Sequence, residues 1–164
     1  MDNLQAAPLT INLANAALVA GTTTTYTTTV ATLCAIAGKF ATSLGAQTNT
    51  ATPTLDAATG LAFVALAVSQ ACCLLWGVNN AGAIRVVQGP IVPTELGVTT
   101  TPGAFIQAPQ FPAIPDDFCP IGYSIHRTSP TGSVFLPGTT AWAASGITST
   151  FRNISTLPGR PQIA

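Results

Sequence analysis

Charge is nearly missing from this sequence. Only 6% of its 164 residues are Asp, Glu, Lys or Arg, where a soluble domain carries about a quarter. A free monomer of this length exposes on the order of 7,600 Å² of surface. Five acids and five bases cannot give that surface the mixed charge that holds monomers apart. Thr, Ser, Asn and Gln supply polarity but no repulsion. Zero formal net charge and a mean hydropathy of +0.47 therefore point to a chain that packs against other proteins.

The same shortage excludes partners. Affinity for nucleic-acid backbones comes from clustered bases, and Lys39, Arg85, Arg127, Arg152 and Arg160 are scattered. No nucleic-acid partner is expected. Asp2 stands where a secretory signal would be basic, and no Lys or Arg precedes Lys39. Residues 61–78 have the length of a membrane span, but Ser69-Gln70 interrupts them and no positive charge follows until Arg85. Their β-branched and aromatic content, with the Asn79-Asn80-Ala81-Gly82 turn behind, reads as two short buried strands. No membrane partner is expected.

Periodicity and turn chemistry predict an all-β fold, an antiparallel β-sandwich or barrel of about eight short strands. Residues 1–21 read as an arm or a short helix. The Thr-rich run after Gly21 reads as strand, with Thr28, Val30, Thr32 and Cys34 on one face. A hairpin is predicted at Ala37-Gly38, then a long surface connection over 43–60. Strands are expected at 61–68, 71–78, 83–88, 121–127, 134–136 and 147–153. The main domain is set at 22–158, with a tail at 159–164. Residues 89–120 hold seven of the thirteen prolines, which fix φ and remove donors, so this segment is predicted extended and poor in ladders.

Chemistry is scarce. His126 is the only histidine. As a general base it would need Asp116 or Asp117 and a Ser or Cys nucleophile, and no motif fixes such geometry. On its strand His126 is expected on a solvent or interface face. Asp116-Asp117 follows Pro115 and reads as a turn; no calcium loop or phosphate loop is present. Cys34, Cys72, Cys73 and Cys119 contain no CxxC pair. Adjacent Cys72 and Cys73 point to opposite faces of a strand and cannot share one zinc. The cysteines read as small core residues, with an oxidised pair as the alternative. Trp76 reads as core, and Trp142 as an interface anchor rather than a sugar platform. No catalytic residue, cofactor or metal is expected.

Several pieces in order resemble a family: Pro53-Thr54-Leu55-Asp56-Ala57-Ala58-Thr59-Gly60, an apolar hairpin ending in Asn80-Ala81-Gly82, Val86-Val87-Gln88-Gly89-Pro90, Phe111-Pro112-Ala113-Ile114-Pro115-Asp116-Asp117, Pro120-Ile121-Gly122-Tyr123 and Phe135-Leu136-Pro137-Gly138-Thr139-Thr140. The chain is similar to small virion structural proteins of tailed bacteriophages, the head decoration (cement) proteins and head-fibre or tail-fibre-like proteins. The resemblance implies a β-rich subunit, often a homotrimer, assembled in the host cytoplasm and attached outside an icosahedral shell. Its partner would then be the major capsid protein, or a host receptor or glycan if it is a fibre. The expected contacts are Phe105, Ile106, Phe111, Ile114 and Phe118 of the proline-rich segment, together with Trp142.

Overall fold

The computed structural model describes residues 9–163, and these contain strands and no helix. Eleven strands form three antiparallel sheets that do not close into a barrel. The central sheet runs β11 (Ile147–Asn153), β10 (Cys119–Thr128), β7 (Gln70–Val78), β8 (Ile84–Gln88), with β9 (Val92–Pro93) continuing the β8 edge along β7. One small sheet joins β1 (Ile11–Asn12), β4 (Cys34–Ile36) and β5 (Lys39–Phe40). The other joins β2 (Leu18–Ala20), β3 (Thr25–Thr28) and β6 (Gln47–Ala51).

The centre is buried on both faces, which is why β7 reads as an unbroken apolar run instead of an alternation. Cys72, Leu74, Trp76 and Val78 face the larger core, shared with Leu18, Tyr26, Ile36 and Phe135. Cys73 and Leu75 face a second core with Val87, Phe118, Tyr123 and Ile125. On β10 the facing residues change parity at a β-bulge between Pro120 and Gly122. Ile121 is the extra residue, so Cys119 and Ile121 join the larger core while Tyr123 and Ile125 join the second.

The second face is covered by the proline-rich segment, not by another sheet. Phe111 meets Tyr123 edge-on with centroids 5.2 Å apart, and Phe105 lies under the Arg127 guanidinium at 5.1 Å. The Phe118 ring rests where a Cβ on Gly77 would stand, so only glycine fits there. Proline suits this work: the segment packs through rings and aliphatic atoms without needing ladder partners.

Local devices fix the remaining pieces. Ala37 and Gly38 have φ of 49° and 76°, a two-residue hairpin turn of the predicted kind, with Ile36 opposite Lys39. Asn153 pins β2 to the central sheet with its side chain: Leu18 N–H donates to Oδ1 at 2.6 Å and Nδ2–H donates to the Leu18 carbonyl at 3.0 Å. The carboxylate of Asp56 accepts from the N–H groups of Ala58, Thr59 and Gln88 at 2.7, 3.2 and 3.0 Å.

Four expectations change. Residues 9–21, expected as an arm or a short helix, are not helical: they hold the short strands β1 and β2, which pair with β4 and β3, so the sheet of β2 and β3 spans residue 22. Residues 1–8 and 164 of the predicted arms lie outside the described residues. The 43–60 connection contains β6, whose Gln47 N–H reaches Thr28 Oγ1 at 3.1 Å. Residues 61–68 and 134–136 are not strands; they meet through a single bridge, Leu66 to Phe135.

Candidate functional site

His126 is the best candidate for chemistry, and its position corrects the expectation of a solvent or interface face. It alternates with Ile125 as expected, but the face it points to is the larger core, and it is 0% exposed. Its ring stacks on Phe135 at 4.5 Å and 18° and on Trp142 at 5.3 Å and 28°. Trp142 in turn meets Trp76 in a tilted contact at 6.2 Å and Phe151 edge-on at 5.5 Å.

A hydrogen-bond chain runs through this aromatic box. Trp76 Nε1–H donates to Ser124 Oγ at 2.9 Å, and Ser124 Oγ lies 2.7 Å from His126 Nε2. His126 Nδ1 lies 2.9 Å from Ser149 Oγ, whose own proton goes to the Trp142 carbonyl at 2.9 Å. The proton roles follow by elimination. Ser149 has donated, so it accepts from His126 Nδ1–H. Nε2 then holds the lone pair and accepts from Ser124. Every polar atom is satisfied with the imidazole neutral, and burial lowers its pKa to about 3.

Chemically this is a serine–histidine pair without access or orienting acid. Both ring nitrogens are occupied by serines, so neither Asp116 nor Asp117 orients the ring. Ser124 is 0% exposed, so no substrate reaches its hydroxyl in this structure. Asp117 instead accepts the Asn80 N–H at 2.8 Å, tying the proline-rich segment to the β7–β8 turn. Among the described residues, no group of three or more His, Cys, Asp or Glu is placed to hold a metal ion. No helix of the described residues is long and apolar enough to cross a membrane.

The six expected contact residues separate. Phe118 and Trp142 are 1% and 4% exposed and belong to the cores, which removes both as interface anchors. Trp142 is held there by Nε1–H donation to the Thr25 carbonyl at 2.6 Å. Phe105 and Phe111 are half-buried against the second core. Ile106 and Ile114 remain open, at 64% and 42%. The rings of the proline-rich segment thus find their neighbour within the same chain.

Other apolar side chains are exposed instead. Ile11, Ala35 and Phe40 are cross-strand partners in the β1–β4–β5 sheet and share its outer face. Asn12, Cys34 and Ile36 take the buried side. Leu13 and Leu33, joined by a 2.7 Å backbone bond, extend the outer row. Phe40 is 75% exposed, Leu13 49% and Leu33 44%. A second cluster sits at the loop carrying Leu96 and Val98, and a third lines a groove of about 640 Å³ between Leu61, Val64, Ile91, Phe111 and Pro112.

No family model, curated protein or solved structure matches the chain.

Proposed function

We propose that this chain is a structural protein of a tailed-bacteriophage virion that decorates the icosahedral capsid and stabilises it by bridging major capsid subunits. The observation that carries this reading is the outer face of the β1–β4–β5 sheet. It is an uncharged apolar row on a chain with ten formal charges, and Lys39, which pairs with Ile36, alternates off it. Exposed apolar side chains gathered on one face suit an interaction surface better than singly scattered ones do. Burying this one against a shell costs little desolvation of charge.

The mechanism is linkage. A protein that binds the assembled lattice and not its separated subunits shifts the equilibrium toward the lattice. Attachment through more than one patch, in a homotrimer above all, multiplies weak contacts into stable occupancy. The larger core joins the sheet that bears the apolar row to the central sheet.

Cryo-electron microscopy of particles carrying this chain tests the reading. Density repeated over the outer head surface, with the β1–β4–β5 face toward the shell, is expected. Density confined to the tail would replace it with the fibre reading.

A further inference from the structure

Three stretches of chain close around one surface cavity of about 480 Å³: β1, the end of the proline-rich segment and the residues just past β11. That volume lies in the range of small-ligand sites. Ile11, Ile114, Phe118 and Leu157 give it apolar walls. Phe118 is 1% exposed, so the hollow reaches down to the second core. Asp116, Ser155 and Thr156 line the same cavity and are themselves exposed, which puts its polar groups at the mouth.

Asp116 differs from the other aspartates of the fold. Asp56 and Asp117 accept backbone N–H groups. Among the described residues, the Asp116 carboxylate has neither a hydrogen bond nor an ion pair, and the Ser155 and Thr156 hydroxyls have no hydrogen bond. Arg85 lines a different hollow, together with Asp117. Three unused acceptors therefore stand at the mouth of an apolar shaft. A lysine side chain matches this arrangement, with an apolar stem and three donors that point apart. Arginine matches it less well, because its planar fork is recognised best by parallel bonds to one carboxylate. Here the acceptors stand on two separate segments.

Ile11 belongs both to this cavity and to the apolar row. A chain lying across the row is therefore within reach of the cavity. We propose that the cavity receives a lysine side chain from the chain that covers the β1–β4–β5 face. Its stem lies against Ile11, Ile114 and Leu157, and its ammonium is held among Asp116, Ser155 and Thr156. That the covering chain is a capsid subunit rests on the function proposed above; the affinity of the cavity for a lysine side chain does not. The apolar row supplies area without direction. One charged contact beside it fixes how the partner sits.

The test uses the isotope-labelled full-length protein and a blocked lysine, Nα-acetyl-lysine methylamide, titrated by NMR. Blocked norleucine, which keeps the stem and lacks the ammonium, is the control. Amide signals of Ile11, Asn12, Asp116, Phe118, Ser155 and Thr156 should shift saturably with lysine and far less with norleucine. Asp116→Asn, at an exposed position, should keep its Tm and bind lysine about fivefold more weakly, the upper range for an exposed ion pair. The same variant should sediment less with capsid shells than the native chain does. Lysine binding by a protein that ignores shells would keep the cavity and remove the capsid reading. No shift at these residues, equal shifts with norleucine or blocked arginine, or undiminished lysine or shell binding by Asp116→Asn would overturn the proposal.

Discussion

Acid should destabilise this protein through one side chain. His126 is neutral in the fold, with a pKa lowered to about 3 by burial, and near 6.5 once unfolded. The proton therefore favours the unfolded chain. Stability from this group is fully present above pH 6.5 and is lost as pH falls toward 3. The slope is about 1.4 kcal/mol per pH unit, so about 3 kcal/mol is gone at pH 4.5, roughly a hundredfold in the folding equilibrium. His126→Gln keeps an amide donor and acceptor between Ser124 and Ser149 but cannot titrate. It should begin less stable, having lost the stacking on Phe135 and Trp142, and then fall less steeply between pH 6.5 and 4.5. The same five carboxylates are present in both proteins and cancel in the comparison. Urea unfolding at half-unit pH intervals measures the two slopes. Because His126 is the only histidine, its Hε1 proton is also a single NMR signal, expected to hold its shift in the folded protein through pH 5. Parallel slopes, or a native Hε1 signal titrating near pH 6.5, would refute the buried neutral relay.

Gly77→Ala should destabilise by about 1–3 kcal/mol by overpacking against Phe118. Its effect should shrink when combined with Phe118→Ala, as chemical denaturation of the double mutant would show. Asp56→Ala removes an acceptor of three backbone N–H groups and should cost about 2–3 kcal/mol, read as a lower urea midpoint. Asn153→Ala should release β2 from the central sheet, seen as faster amide exchange at Leu18 ahead of global unfolding. Phe40→Asp, on a side chain 75% exposed, should leave Tm nearly unchanged and abolish binding to capsid shells in a sedimentation assay.

The elements that were legible in the sequence are those whose signal is local. The Ala37-Gly38 turn, β8 and β11 follow from turn chemistry and β-branched runs, and the all-β class follows from their sum. What was not legible depends on what covers each face. His126 was placed on its strand correctly, but nothing local reveals that Phe135 and Trp142 roof that face. Phe118 read as a contact for another subunit because the glycine that receives it, Gly77, lies forty-one positions away in the chain. The bulge at Ile121 likewise depends on a partner strand. The apolar row was the reverse case. Leu9, Ile11 and Leu13 alternate plainly with Thr10 and Asn12, and period-two alternation is a strand signal that outweighs the helix-forming residues around it. The N-terminal sheet and its exposed face were therefore readable in principle.

The central claim, that this charge-poor fold exists to cover a capsid lattice, is tested most directly by its copy number relative to the major capsid protein in purified particles, measured by quantitative mass spectrometry with labelled peptides. Hundreds of copies per particle, in fixed proportion to the shell subunit, is the predicted result. About a dozen copies, or none, would contradict it.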